Sequence, residues 1–317
     1  MVLTGISILA VRRVMLYFTA RCPSRALLTG KTVIVTGANC GIGYQTALEL
    51  ARREARVILA CRDLTKAQAA AKSISSLSRN EQVFAKKLDL ASFASVRAFC
   101  KDVKISETKL DVLVNNAAVL NCPYALTEDG LETHMSVNHF GNVLLTDLLR
   151  DLLEKSESSR VVFVTSSLLK FGSVDFETVN SKEQYAKKKS YHNSKLWNML
   201  YARELQNRVA ANGNISVFCV SPGMVVTKLG RNSFLFNRYF QIFAFPVFVL
   251  LYSLYTLLVK TAKEGCQTIV HCAIAPEVEG QVDGYYRNFT KHPWFENAKD
   301  LELAKKVYDY SAKVTGM

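Results

Sequence analysis

Short apolar runs alternate with longer amphipathic stretches along most of the chain. The short runs predict strands at residues 32–36, 56–61, 83–88, 110–115, 161–165 and 215–220. The stretches between them, such as residues 45–53 and 64–78, show the apolar spacing of helices. Strands that alternate with helices imply a parallel sheet covered on both faces. The pattern therefore predicts the α/β fold class, with a doubly wound parallel sheet in one domain.

The first predicted strand runs into a glycine-rich turn. Gly37, Gly41 and Gly43 are spaced G-x-x-x-G-x-G, whereas the dinucleotide fingerprint is G-x-G-x-x-G. A strand, a tight turn and a helix place backbone N–H groups and a helix N-terminus at one point, which attracts phosphate. A turn required only for chain geometry is the alternative. The flanking strand and helix favour dinucleotide binding, and with it a Rossmann-type domain.

Composition and charge narrow the function classes. The 317 residues suffice for one large α/β domain, and 49% of them are hydrophobic. A net charge of +13 fits nucleic acid, a membrane surface or an anionic cofactor. No zinc-finger spacing or basic–aromatic repeat supports nucleic acid, so we predict no nucleic-acid partner. The eight cysteines form no C-x-x-C pair, so we predict no metal site and no disulfide framework.

The N-terminal residues 1–28 form an apolar and basic segment. No acidic residue precedes Glu49, and Arg12 and Arg13 interrupt the apolar run. The run is shorter than the about 20 apolar residues of a transmembrane helix. We interpret the segment as a membrane anchor, with a transit-like peptide and a frayed tail as the alternatives.

A second apolar segment lies within residues 224–260. Its residues 239–259 carry no charge and are just long enough to span a bilayer. A true span would divide one domain across the membrane, and Pro246 would break or kink the helix. We predict a substrate lid that docks on the membrane surface, with a buried core helix as the alternative. Basic residues flank it as expected near anionic lipid, namely Lys228, Arg231, Arg238, Lys260 and Lys263.

Tyr191 and Lys195 lie one helical turn apart, so one helix face presents both. A free phenol has a pKa of about 10, and a nearby ammonium favours the phenolate and lowers that pKa. The pair is therefore a candidate acid–base unit. Tyr185 and Lys189 have the same spacing, but they lie in a charged run that we interpret as solvated.

The end of the second predicted strand bears on the choice of cofactor. NAD-binding domains place a carboxylate about 20 residues beyond the turn to hold the ribose hydroxyls. Cys61 occupies that place here, and Arg62 follows it. A guanidinium favours the 2′-phosphate of NADP(H), although Asp63 could pair with Arg62 instead.

The motifs together resemble those of the short-chain dehydrogenases/reductases, over residues 29–287. They occur in that family's order: T-G-A-N-C-G-I-G at residues 36–43, N-N-A-A at residues 115–118, V-N-H around Asn138, Ser166-Ser167, Y-H-N-S-K at residues 191–195 and S-P-G at residues 221–223. Within the family, residues 58–63 (ILACRD) and 194–198 (SKLWN) most resemble the retinol dehydrogenase branch. They also resemble the dehydrogenase domain of the WW-domain-containing oxidoreductase. We assign residues 29–317 to one dehydrogenase domain.

The resemblance implies roles for individual residues. The implied catalytic residues are Asn138, Ser167, Tyr191 and Lys195, and Ser167 is preferred to Ser166 because the second serine usually carries the role. The implied cofactor residues are Gly37, Asn39, Cys40, Gly41, Ile42, Gly43, Arg62, Asp89, Asn116, Ala117, Tyr191, Lys195, Pro222, Gly223 and Thr227. Glu54 stands where the family commonly ends a helix with glycine, so we expect a strained positive φ there.

The sequence therefore predicts an NADP(H)-dependent oxidoreductase of lipophilic alcohols and carbonyls, with retinoids as the substrates that the resemblance implies. A reductase of steroids or other lipid carbonyls is one alternative, and a membrane-bound scaffold without turnover is another. The expected partners are a lipophilic small molecule and a membrane surface, while the oligomeric state, a homo-oligomer included, stays open. We expect a cytosol-facing location on the endoplasmic reticulum, with lipid droplets or mitochondria as alternatives.

Overall fold

The computed structural model describes residues 21–210, 213–225 and 260–317. All six predicted strands are present close to their predicted positions. They are β1 (Thr32–Thr36), β2 (Arg56–Cys61), β3 (Val83–Lys87), β4 (Val112–Asn115), β5 (Ser159–Val164) and β6 (Ile215–Val220). Two further strands, β7 (Tyr285–Arg287) and β8 (Thr290–His292), were not predicted. With three residues each, they are too short to show an apolar alternation.

The strands form one sheet in the order β3-β2-β1-β4-β5-β6-β7-β8. All neighbours are parallel except β7 and β8, which are antiparallel. The chain order reverses between β1 and β4, so the carboxyl ends of these two strands flank the crevice in which doubly wound sheets bind their ligands. The α/β doubly wound prediction is confirmed.

Helices cover both faces of the sheet. The described helices are α1 (Gly41–Ala51), α2 (Leu64–Ser78), α3 (Phe93–Ser106), α4 (Thr133–Met135), α5 (Gly141–Leu148), α6 (Arg150–Glu154), α7 (Lys187–Val209), α8 (Ala262–Gly265), α9 (Gln267–Ile274) and α10 (Leu301–Thr315). A π-helical turn, Ser136–Phe140, joins α4 to α5, and short 3-10 helices occupy Ser167–Phe171, Pro276–Val278 and Glu296–Ala298. The predicted helix at 64–78 agrees with α2. α1 begins four residues before the predicted 45–53, because the glycine turn itself forms its first turn.

The strands divide the core into two layers. Successive side chains of a strand point to opposite faces, so Ile34 packs in one apolar cluster with α3, α5, α7 and α10. Val33 and Val35 pack in the other cluster, with α1, α2 and α9. Glu54, just beyond α1, has a φ of +68°, as expected from the glycine that the resembled family commonly has there.

The predicted anchor and lid lie mostly outside the described residues. The described part of the anchor segment rests on the domain: the Cys22 amide donates to Gln267 Oε1 at 2.8 Å, and the Leu28 amide donates to the Arg53 carbonyl at 2.7 Å. Residues 226–259, with most of the predicted lid, are not described. Within the described ranges, no helix is long and apolar enough to cross a membrane.

Candidate active site

The glycine turn after β1 is built for close backbone approach. Gly37 has a φ of +64° and Gly41 a φ of +62°, a region that favours glycine. A Cβ on Gly43 would lie 2.4 Å from Asn116 Nδ2 and 2.6 Å from the Gly37 carbonyl oxygen, so no side chain fits there. Cys40, an exposed residue, precedes the N-terminus of α1, and its side chain makes no capping hydrogen bond. The turn thus presents bare backbone at a helix N-terminus, which suits the pyrophosphate of a dinucleotide.

The end of β4 holds this turn in place. The Thr36 hydroxyl accepts hydrogen bonds from the backbone amides of Asn116 and Ala117, both at 2.9 Å. Asn116 Nδ2 donates to the Thr36 carbonyl at 2.8 Å. Asn116, which the sequence analysis assigned to the cofactor, therefore uses its side-chain nitrogen to tie the two strand ends together.

A cleft of about 800 Å³ opens beside the turn. Six predicted cofactor residues line it, namely Gly37, Asn39, Cys40, Arg62, Asp89 and Ala117. Gly41, Ile42 and Gly43 form the first turn of α1 behind this wall. The structure therefore brings most of the predicted cofactor residues to one place.

The end of β2 carries no carboxylate in this cleft. Burial raises the pKa of the Cys61 thiol to about 11, so the thiol is uncharged at neutral pH. Asp63 caps α2 by accepting from the Lys66 amide at 3.0 Å and forms an ion pair with Lys66 Nζ. The Asp63 carboxylate is thus engaged by Lys66 and does not pair with Arg62, whose side chain is exposed and lines the cleft.

Tyr191 and Lys195 lie on the first turns of α7 and are both buried. Lys195 Nζ donates to the Val164 carbonyl at 2.9 Å and lies 5.9 Å from the centre of the Tyr191 ring. Burial raises the pKa of Tyr191 to about 12 and lowers the pKa of Lys195 to about 8. The expected lowering of the tyrosine pKa by the ammonium is wrong for this arrangement, in which burial raises that pKa. The phenol is protonated at neutral pH and can donate a proton.

The structure brings Ser166, and not the predicted Ser167, to Tyr191. A hydrogen bond from the Ser166 side chain lowers the pKa of Tyr191 and partly opposes the effect of burial. Ser166 is still extended after β5, whereas Ser167 begins the 3-10 helix. The Ser167 hydroxyl turns instead to Ser221, with 3.3 Å between the two Oγ atoms. The preference for the second serine missed this, because a position in a motif does not show where the strand ends.

Asn138 lies in the π-helical turn and is completely buried. Its Oδ1 accepts from the Val119 amide at 2.7 Å, and its Nδ2 donates to the Val119 carbonyl and to Ser194 Oγ, both at 3.0 Å. Ser194 in turn donates to the Tyr191 carbonyl at 2.8 Å. The Asn138 side chain thus joins the wall of the cleft to the first turns of α7.

The remaining predicted site residues either follow β6 or lie outside the described residues. Pro222, which follows β6, is buried. Gly223 has a φ of +84°, and a Cβ at this position would lie 3.7 Å from the Lys260 side chain. Thr227 lies outside the described residues. Tyr185 is half-buried and donates to the Cys122 carbonyl at 2.5 Å, so it is less solvated than its charged surroundings suggested. In the described part of the chain, no group of three or more His, Cys, Asp or Glu side chains could hold a metal ion.

Known proteins are similar to this chain in sequence and in fold. Residues 31–237 match the family model described as short chain dehydrogenase. The chain is 41% identical to mouse retinol dehydrogenase 14, over 92% of this chain and 87% of that protein. It is 40% identical to human retinol dehydrogenase 12, over 93% of this chain and 90% of that protein. An uncharacterized protein of Mycobacterium paratuberculosis has the same fold, with a TM-score of 0.71 and 29% identity over 94% of this chain and 97% of that one. The chain therefore belongs to the short-chain dehydrogenase family, and within it to the retinol dehydrogenase-like branch.

Proposed function

We propose that this protein is an NADP(H)-dependent oxidoreductase that interconverts lipophilic alcohols and the corresponding aldehydes or ketones, with retinoid-type substrates. The observation that carries the proposal is the buried phenol of Tyr191, with Ser166 beside it and Lys195 one turn further along α7. When a hydride adds to the carbonyl carbon of the substrate, the protonated phenol donates its proton to the carbonyl oxygen, and Ser166 hydrogen-bonds the same oxygen. The cofactor, when bound, supplies the hydride.

The surroundings of the cleft support NADP(H) over NAD(H). The glycine turn presents backbone at the N-terminus of α1, a site that suits the pyrophosphate. The neutral Cys61 thiol replaces the carboxylate that holds the ribose hydroxyls of NAD. Arg62 lines the cleft one residue later, and the neighbouring Asp63 is engaged by Lys66. In our proposal the Arg62 guanidinium binds the 2′-phosphate.

Arg62→Ala is expected to weaken NADPH binding by about 1.5–3 kcal/mol, roughly 10- to 150-fold, the range of a hydrogen bond to a charged group. NADH binding should change less than about twofold, because NADH lacks the 2′-phosphate. Titration of cofactor fluorescence measures both constants. Arg52→Ala is the matched control: it removes the same charge from an arginine that pairs with Glu49 at 2.9 Å. Equal losses for NADPH and NADH would overturn the assignment of Arg62.

The substrate class rests on apolar side chains beside Tyr191 and on the relatives. Leu168 and Phe171, on the 3-10 helix that follows Ser166, are 43% and 60% exposed. The Phe171 ring centre lies 5.8 Å from that of His192, the residue after Tyr191. Both relatives named above are called retinol dehydrogenases. An apolar surface of this kind suits an elongated lipophilic substrate.

A substrate panel tests this function. Purified protein with NADPH should reduce all-trans-retinaldehyde faster than a steroid ketone or a small soluble aldehyde, measured as loss of NADPH absorbance. Preference for a steroid ketone would replace the retinoid proposal with the steroid alternative. An absence of turnover with the whole panel, together with normal NADPH binding, would favour the scaffold.

We further propose that residues 226–259 dock on a membrane surface without crossing it. The described residues at the two ends of this segment are neighbours: Val225 pairs with Lys260, and the Lys260 amide donates to the Met224 carbonyl at 2.8 Å. One crossing would separate the ends by the about 30 Å of the hydrocarbon core. A return crossing would take Lys228, Arg231 and Arg238 through lipid at high cost. Docking from one side avoids both difficulties.

Labelling on sealed vesicles tests this topology. Cysteines introduced one at a time at Arg231 and at Lys263 should react equally with a membrane-impermeant maleimide, because both positions lie on the same side. Labelling is measured as the increase over the wild-type protein, which has its own eight cysteines. Labelling of one position only, until detergent opens the vesicles, would indicate a true span.

A further inference from the structure

A buried polar chain runs from the C-terminal helix to the active site. Its members lie far apart in sequence, on the π-helical turn, on α7 and on α10. All of them are at most 3% exposed: Asn138, His139, Ser194, Asn198 and Ser311. Because buried polar groups are costly when they lack partners, the hydrogen bonds of such a chain fix the relative positions of the elements that carry them.

His139 forms the middle of this chain. Its Nδ1 lies 2.9 Å from Asn198 Oδ1, and its Nε2 lies 2.8 Å from Ser311 Oγ. Burial lowers the pKa of His139 to about 4, so the ring is neutral and carries one proton. The rings of Phe140 and Trp197 pack against it with centres 4.9 Å and 5.4 Å away, which leaves it little freedom to turn.

The partners assign that single proton. Asn198 Nδ2 donates to the Asn138 carbonyl at 2.7 Å, so its Oδ1 faces His139 and must accept. The proton therefore lies on Nδ1, and Nε2 is an acceptor. The Ser311 hydroxyl lies 2.8 Å from Nε2 and 2.6 Å from the Val307 carbonyl of its own helix, so its single proton is shared between these two acceptors and links His139 to α10.

The other end of the chain reaches the reacting groups. The Asn138 carbonyl accepts from Asn198, and the Asn138 side chain holds both main-chain groups of Val119, in the wall of the cofactor cleft. Asn138 also donates to Ser194, which donates to the Tyr191 carbonyl. A shift of His139 would therefore displace both the cleft wall at Val119 and the turn of α7 that carries Tyr191.

We propose that Ser311 and His139 are positioning residues, through which the C-terminal helix α10 holds Asn138, the Val119 wall and the Tyr191 turn in their working geometry. Neither residue touches a reacting atom. The role goes beyond packing, because the ordered hydrogen bonds specify one orientation for the Asn198 amide and one for the Asn138 peptide. The kinetic part of the test rests on the function proposed above, whereas the exchange part does not.

The test compares Ser311→Ala with Thr315→Val in the full chain. Thr315 is one turn further along α10 and equally buried, but its hydroxyl donates only to the Ser311 and Ala312 carbonyls of its own helix. Ser311→Ala should lower kcat about tenfold with the NADPH KM within about twofold, since small displacements of catalytic groups cost rate rather than binding. Thr315→Val should keep kcat near wild type, and Ser311→Thr, which retains the hydroxyl, should restore it.

Amide hydrogen exchange tests the same chain of hydrogen bonds without a substrate. The Val119 amide donates to Asn138 Oδ1, so Ser311→Ala should accelerate its exchange at least about fivefold, while Thr315→Val should not. Equal effects of the two variants on exchange, or wild-type exchange at Val119 in Ser311→Ala, would overturn the proposal. If no substrate is turned over, the exchange result still decides it, and only the proposed function fails.

Discussion

Tyr191→Phe is expected to lower kcat at least about 10²-fold, the scale of a lost general acid. The change removes the hydroxyl and keeps the ring, so packing on α7 is preserved. In the function proposed above the phenol donates the proton, and burial, which raises its pKa to about 12, keeps that proton on it at neutral pH. Single-turnover reduction with saturating NADPH measures the loss directly, and the dissociation constant of NADPH should change little.

Tyr185→Phe is the matched control. Tyr185 and Lys189 repeat the spacing of the catalytic pair, but Tyr185 precedes α7 and its hydroxyl donates to the Cys122 carbonyl. Losing that hydrogen bond should cost about 0.5–1.5 kcal/mol of stability and leave kcat within about twofold of wild type. A larger loss of kcat for Tyr185→Phe than for Tyr191→Phe would contradict the assignment and identify Tyr185 as the proton donor.

The sequence predicted the parts of this site that local pattern controls. β1, β2 and β6 have their predicted bounds, because each is an apolar run between clear boundaries. The glycine turn was predicted from its flanking strand and helix, and such features depend on neighbouring residues in the sequence. The positive φ of Glu54 was expected from the resemblance, because the family commonly has glycine at that position.

Features that depend on distant contacts were missed. The hydrogen bond between His139 and Ser311 joins residues 172 positions apart, so no motif could indicate it. The pKa of Tyr191 was expected to fall because Lys195 follows on the same helix face, but the effect of burial depends on the whole domain. In the folded domain, burial is the largest cause of the shift and raises that pKa.

The two adjacent serines differ for a related reason. Ser166 is the last extended residue after β5, with a φ of −149° and a ψ of 143°, and its side chain points to Tyr191. Ser167 has entered the 3-10 helix, and its hydroxyl faces Ser221. The two serines have different backbone conformations and their hydroxyls face different partners, so in our proposal only the Ser166 hydroxyl hydrogen-bonds the substrate oxygen.

Ser166→Ala is therefore expected to lower kcat about 10²- to 10³-fold, the loss measured when a donor to a developing oxyanion is removed. Ser167→Ala should stay within about threefold of wild type. Because Ser166 also accepts a hydrogen bond from the Leu168 amide at 3.3 Å, thermal unfolding must accompany the kinetics, and a loss of about 1 kcal/mol is expected from that cap. Ser166→Thr retains the hydroxyl and should recover most of the activity, which a purely structural defect would not explain. If Ser167→Ala proves the more damaging variant, the hydroxyl that contacts the substrate belongs to the second serine, and the 3-10 helix must begin later in the working enzyme.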